Sequence, residues 1–327
     1  MQFLCCAGNC SRRQTTASGN TLLPSDSNLI YNALGNRPQA AGRPRVPNLK
    51  DQVVIITGAS SGIGRESALL FAKQGTKTVL ADIRPQQLDD TATAIQELGA
   101  ETVAVTTDVS KSEQVDRMVQ AAVDSFGRVD ILVNNAGYGY GATIEQTTEE
   151  EFQALWETNV LSVLFGMQAV LPIMCEQASG HIINVASAAG KIAYPGIGAY
   201  SATKHAVVAL TDALRAEVAD AGIHTSVVLP IGTKTEFFES ARLAEGGSVG
   251  PHGPIQTAEH VAKKIVACAK RPTQEVLPYK PLRLGIAIKS VIPSIIDSIG
   301  RRSFRKQTQR DSEPTRMQPE EAPHGEA

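Results

Sequence analysis

Neither charge dominates this chain. Thirty-one Lys and Arg face 33 Asp and Glu, leaving a formal net charge of −2 over 327 residues and a pI near 6.3. Nucleic-acid binding generally leaves a basic footprint, so the balance argues against that class of partner. Cysteine is scarce: Cys5, Cys6, Cys10, Cys175 and Cys268 are the five present. Three crowd the N-terminus and two stand alone, which gives neither a disulfide framework nor paired metal-ligand spacing. Cys5-Cys6 is weak evidence for acylation. This usage fits a reducing compartment, so the protein is expected in the cytoplasm, without a bound metal. No unbroken apolar run reaches the ~18 residues needed to span a bilayer. The best candidate, Val160–Cys175, is interrupted by Ser162, Gly166, Gln168 and Pro172. Met1–Leu4 is apolar, but no h-region follows, and no secretory signal is expected.

Apolar residues make up 42% of the chain and charged residues 20%, enough for a sizeable core. The length fits one large domain or two small ones. Residues 1–48 are rich in Ser, Asn, Gly and Pro, with five arginines and a single acid, Asp26. They read as a disordered, mildly basic leader. Residues 303–327 read as a disordered polar tail. Between them, β-branched runs alternate with helical periodicity. Strands are expected near Val53–Thr57, Thr78–Ala81, Thr102–Thr106, Ile131–Asn134, Ile182–Ala186, Ser226–Leu229 and Glu275–Leu277. Helices are expected over Gly62–Gln74, Pro85–Leu98, Lys111–Phe126, Thr148–Met174, Ala199–Ala221 and Thr257–Ala269. Such alternation implies an α/β, doubly wound, Rossmann-type fold with a parallel sheet of about seven strands. The domain is expected over 49–278, with a basic amphipathic helical extension over 279–302.

Thr57-Gly58-Ala59-Ser60-Ser61-Gly62-Ile63-Gly64 follows the first strand and opens a helix. Gly58 permits a tight turn, Gly62 lets backbone approach a pyrophosphate, and Gly64 lets helix pack on strand. The helix N-terminus offers N–H groups and positive dipole to phosphates. A turn can use such glycines without a ligand, so the strand-loop-helix context matters. Asp82 ends the next strand, where a carboxylate accepts bonds from an adenosine ribose and repels a 2′-phosphate. That favours NAD, with NADP left open because Arg84 sits two residues on. Asn134-Asn135-Ala136-Gly137 places small residues at a strand's carboxyl end, where α/β sheets bind ligands. It also fits an ordinary turn. Tyr200 and Lys204 are four apart, on one helical face. A nearby ammonium favours the phenolate and is expected to lower the tyrosine's pKa toward acid/base range. Ser187, just past a strand, is placed to bond a substrate oxygen.

These motifs, in this order, resemble the short-chain dehydrogenase/reductase family, in its compact single-domain branch, over about residues 50–270. Asp108-Val109 and Asn159 complete the pattern. The resemblance implies that Tyr200 is the general acid/base, and that Lys204 binds the nicotinamide ribose. It implies that Ser187 polarises the substrate carbonyl and Asn159 holds a water linked to Lys204. Asp108 and Val109 would flank the adenine, though Asp108-Val109-Ser110 also reads as a plain helix start. Cofactor contacts are implied for Gly58, Ser60, Ser61, Gly62, Ile63, Gly64, Asp82, Asn135, Ala136, Gly137, Pro230, Thr233 and Thr235. One departure stands out. The family usually has Pro-Gly after the sixth strand, whereas Ile231 follows Pro230 here. Its side chain enters where backbone normally passes the nicotinamide, and the loop is open to a one-residue shift.

The expected reaction is hydride transfer between NAD(P) and a carbonyl/secondary-alcohol substrate. Two alternatives stay open: a catalytically silent nucleotide-binding scaffold, and an NADPH-preferring ketoreductase. Tyr138, Tyr194 and Phe237 are expected at the substrate end, with Tyr140, Ala188, Ala189 and Phe238 nearby. Residues 236–256 are expected to form a mobile lid. The aromatic start of that segment suggests an apolar substrate. Helices apolar on more than one face suggest a homodimer or homotetramer. Residues 263–306 carry eleven Lys and Arg against two acids, a net of +9, interleaved with aliphatic residues. This fits peripheral membrane contact; it equally fits a stripe packed on the core or closing a dimer.

Overall fold

The computed structural model describes residues 48–235, 241–244 and 254–311. Seven strands form one parallel sheet: β1 (Val53–Thr57), β2 (Lys77–Asp82), β3 (Thr102–Thr106), β4 (Ile131–Asn134), β5 (Gly180–Val185), β6 (Ile223–Val228) and β7 (Glu275–Val276). Their spatial order is β7-β6-β5-β4-β1-β2-β3. Every residue of β1 is buried, because a central parallel strand is covered on both faces. Its side chains alternate. Val53 and Ile55 join the cluster beneath α3 (Ser112–Phe126), α5 (Ser162–Gln177) and α6 (Gly198–Glu217). Val54 and Ile56 join the cluster beneath α1 (Gly62–Ala72), α2 (Pro85–Glu97) and α7 (Ala258–Lys270). Phe71, Leu132 and Met174 are among the fully enclosed side chains, each contributing about 1.5–3 kcal/mol by burial.

The helix expected over Thr148–Met174 is divided. α4 (Glu149–Trp156) leads into a π-helical turn at Glu157–Leu161, and α5 follows. Thr148 caps α4 by accepting the Glu151 amide at 3.2 Å. Glu149–Gln177 has the length and hydropathy to cross a bilayer. Val163, Met167, Val170 and Met174 are nevertheless buried in the core, so it is a core helix.

α8 (Leu282–Val291) and α9 (Pro293–Asp311) follow the last strand. Proline needs no N–H partner in a first turn, so Pro293 starts α9 as it separates the two helices. α9 runs on to Asp311, so residues 303–311 are helical and do not belong to a disordered tail. The expected lid is only partly described: Arg242–Leu243 pairs with Tyr140–Gly141, and Gln256–Thr257 with Thr233–Lys234.

Candidate active site

A cleft of about 550 Å³ opens across the carboxyl ends of β1, β2, β4, β5 and β6. Strand order reverses between β1 and β4, and doubly wound sheets bind ligands at that crevice. Gly58 and Gly62 adopt φ of +66° and +52°, which glycine reaches without strain. A side chain on Gly64 would overlap the carbonyl oxygen of Gly58. The three glycines therefore bend the chain from β1 into α1 with backbone facing the cleft. Ser61 is the N-cap of α1, yet its side chain caps nothing. Its Oγ instead accepts from Arg84 Nη2 at 2.8 Å.

One edge of the cleft is built around Asp82. Its Oδ2 accepts the Ser60 amide at 3.3 Å, and its Oδ1 accepts the Arg84 amide at 3.0 Å. Arg84 also bonds Ser60 Oγ at 2.6 Å. Opposite, Thr57 Oγ1 accepts the amides of Asn135 and Ala136, both at 3.0 Å. Asn135 Nδ2 donates to Thr57 O at 3.0 Å. These bonds fasten the end of β4 to the glycine loop.

The other end gathers Ser187, Tyr200 and Lys204. Tyr200 lies in the first turn of α6, and Lys204 one turn later. The Ser187 hydroxyl adjoins the Tyr200 phenol closely enough to act on its pKa, and its Oγ donates to Pro230 O at 3.5 Å. Ser187 Oγ also accepts the Ala189 amide at 3.1 Å. Lys204 Nζ donates to Val185 O at 3.2 Å and lies 5.7 Å from the Tyr200 ring centre. Burial pushes the Tyr200 phenol up to about 12, with the neighbouring Ser187 hydroxyl acting the other way. Burial likewise pushes Lys204 down to about 8. Burial sets the direction for both groups, and Ser187, not Lys204, is what opposes it at Tyr200.

Asn159 lies in the π turn and is wholly buried behind the cleft wall. Its Oδ1 accepts the Tyr138 amide and its Nδ2 donates to Tyr138 O, each at 3.0 Å. Nδ2 also lies 3.3 Å from Thr203 Oγ1. A π turn rotates one side chain out of regular helical phase, and such turns recur at functional sites.

Most of the anticipated residues line the cleft: Gly58, Ser61, Gly62, Ile63, Asp82, Asp108, Val109, Asn135, Ala136, Gly137, Tyr138, Ser187, Tyr194, Tyr200, Lys204, Pro230, Thr233 and Thr235. Ser60, Gly64 and Asn159 stand behind it. Tyr140 is packed with Leu155, Ala189 and Tyr200 in a buried cluster rather than on the wall. Phe237 and Phe238 lie outside the described residues. Ile231 lines the cleft and packs against the core, while Pro230 O accepts the Ala188 amide at 2.7 Å. Thr235 lies over Gly62, whose added Cβ would come within 3.0 Å of it.

Sequence reasoning missed Asn184 and Thr211, and gave Thr57 no role beyond opening the glycine motif. Asn134 Nδ2 donates to Asn184 Oδ1, and Asn184 Nδ2 to Thr211 Oγ1, both at 2.9 Å. This buried chain ties β4 and β5 to α6, the helix of Tyr200. The signal was a polar residue inside each of two strands that otherwise read as apolar.

The fold and cleft are those of a dehydrogenase of the nicotinamide-dependent, doubly wound kind. The short chain dehydrogenase family profile matches residues 52–246, and the chain belongs to that family. It is an NAD(P)-dependent oxidoreductase. It is 42% identical over 193 residues to an uncharacterized oxidoreductase of Staphylococcus saprophyticus, covering 58% of this chain and 77% of that one. It is 32% identical over 281 residues to dehydrogenase/reductase SDR family member 7B of Danio rerio, covering 81% and 89%. Among solved structures, a short chain dehydrogenase/reductase from Burkholderia phymatum in complex with NAD superposes with a TM-score of 0.69. That pair is 29% identical, covering 76% of this chain and 96% of that one.

Proposed function

We propose that the protein interconverts an apolar ketone and its secondary alcohol, with NAD as the preferred cofactor and Tyr200 as proton donor and acceptor. The observation that carries this is the pair of neighbouring hydroxyls, Ser187 and Tyr200, that share the cleft wall. They adjoin a wall of Ala188, Ala189, Tyr194 and Ile197. A carbonyl oxygen seated there meets two O–H groups, while its flanks meet apolar side chains. Polar groups fix orientation and apolar lining supplies contact, as in most small-molecule sites.

The residues present fit a dinucleotide. The uncapped start of α1 suits a pyrophosphate. Asp82 suits a ribose diol, Asp108 and Val109 would flank an adenine, and Lys204 would reach the second ribose; all four line the cleft. A bound nicotinamide supplies or accepts the hydride. In reduction Tyr200 donates its phenolic proton to the developing alkoxide. Ser187 donates to the same oxygen. In oxidation Tyr200, as phenolate, takes the hydroxyl proton. Lys204, mostly protonated below about pH 8, holds positive charge one helical turn from the phenol.

Half-buried Leu164, Phe165 and Leu210 on α5 and α6 favour a symmetric dimer, which light scattering at micromolar protein tests. The function itself is tested by titrating NAD and NADP against the protein, then screening a panel of ketones and alcohols. NAD-dependent turnover of apolar secondary alcohols is expected. Nucleotide binding without turnover of any member would favour a silent scaffold.

A further inference from the structure

Helices α8 and α9 carry two apolar rows. Leu282 is buried, and Ile286 and Ile296 pack against the core. The second row faces water: Leu284 is 67% exposed and Val291 78%, with Ile292, Ile295 and Ile299 exposed beside them. Basic side chains surround this row. Lys280, Arg283, Arg301 and Arg302 are exposed. Asp297 is the one acid between 279 and 305, and it is occupied by Lys289 at 2.7 Å.

The position of this surface is as informative as its composition. A side chain on Gly285 would lie 3.6 Å from Ile192, and one on Gly300 3.5 Å from Pro195. Phe304 lies against Gly196, 3.5 Å from where a Cβ would stand. The two helices thus rest on segment 192–196, which contributes Tyr194 to the cleft, with Ile197 following. On the far side of that segment, Ala142 bridges to Ile197, and Ile144 touches Gly198. Ile144 is 75% exposed. Exposed aliphatic residues therefore continue around the end of the cleft nearest Tyr200.

We propose that this face docks on the surface of a bilayer containing anionic phospholipid. Clustered aliphatic side chains left in water mark an interaction surface. An aliphatic row rimmed by Lys and Arg matches the interface of such a bilayer, with acyl chains below and phosphates at the rim. A second copy of the chain suits it poorly, because a two-fold contact would set these basic rims against each other. Docking here turns the substrate end of the cleft toward the lipid. The docking surface does not depend on which alcohol is turned over.

The test is co-sedimentation of the full chain with vesicles of phosphatidylcholine, alone or with phosphatidylserine, at low and high salt. Binding is expected with phosphatidylserine at low salt, and salt should weaken it. Leu284→Asp with Ile295→Asp should lower the bound fraction by about tenfold or more, and Arg301→Glu with Arg302→Glu should remove the preference for phosphatidylserine. All four positions are exposed, so both variants should keep the parent's melting temperature and nucleotide binding. Full recovery of the parent in the supernatant with both vesicle types would overturn the proposal. So would variants that bind like the parent. A concentration-dependent pairing in solution, broken by the aspartates and without vesicle binding, would assign the face to a second copy instead.

Discussion

Arg84 folds back onto Asp82, with Nε 3.2 Å from Oδ1, while its Nη2 reaches Ser60 and Ser61. One guanidinium thus joins the acid at the end of β2 to two hydroxyls of the glycine loop. The carboxylate stays available to a ribose diol. With the acid removed, the guanidinium and two hydroxyls would form a cradle for a 2′-phosphate.

Asp82→Ser should therefore raise the ratio of kcat/KM for NADP over NAD by about tenfold or more, roughly 1.4 kcal/mol. Adding Arg84→Ala should cancel most of that gain. Steady-state kinetics with both cofactors check it. An unchanged ratio in the single variant, or a parent enzyme that already favours NADPH, counts against the role given to Asp82.

Tyr200→Phe removes one hydroxyl and leaves the ring in its buried cluster. Turnover should fall by roughly 10²–10⁴-fold, the usual contribution of a positioned acid or base. NAD affinity, measured by fluorescence titration, should stay within a few-fold. Near-parent turnover would remove Tyr200 from the mechanism.

The pH profiles of the two directions should differ. The Tyr200 phenol, pushed up to about 12, stays protonated throughout the neutral and mildly alkaline range. Reduction, which uses the phenol, should be level from about pH 6 up to about pH 8, where Lys204 begins to lose its proton. Oxidation, which needs phenolate, should climb over the same range, by up to about tenfold per unit. Initial rates in both directions, in buffers of matched ionic strength, decide this. An oxidation rate independent of pH would contradict it.

His181 should make the fold sensitive to acid. Ser226 Oγ donates to Thr273 O at 2.6 Å, so it accepts from His181 Nε2 at 2.8 Å, which puts the proton on Nε2. Nδ1 is then a buried acceptor without a partner. Burial, with His224 nearby, pushes the group down to about 3. Between about pH 6.5 and 3 the unfolded chain binds the proton and the native state does not. Stability contributed above 6.5 is therefore lost as pH falls, by up to about 1.4 kcal/mol per unit. Urea midpoints from pH 7 to pH 4 should fall less steeply in His181→Asn than in the parent. Parallel slopes would refute the assignment.

Much of the sheet was legible in the chain. Val53-Val54-Ile55-Ile56 has no polar break, as a strand covered on both sides must, and the glycine loop follows it directly. Tyr200 and Lys204 were legible because four-residue spacing puts both on one face of α6. The π turn was not, since Glu157–Leu161 contains no glycine or proline to signal a change of winding. The high pKa of Tyr200 was also hidden. Sequence shows the neighbouring lysine, whereas burial of both groups arises only when β5, β6 and α6 close around them. The short pairing of Tyr140–Gly141 with Arg242–Leu243 joins segments a hundred residues apart, and two residues leave no periodicity to read.

The winding at Glu157–Leu161 sets a limit on length rather than on chemistry. Deleting one residue there would restore ordinary α-helical winding and turn one flank by about 100° relative to the other. If α4 kept its seat, Val163, Met167 and Val170 would swing off the sheet. If α5 kept its seat, Leu155 would leave the cluster beneath Tyr200. The extra residue lets one continuous rod satisfy two faces that lie out of phase, with Asn159 at the seam. Replacements across this stretch that keep the residue count should be absorbed far more readily than any change in the count itself.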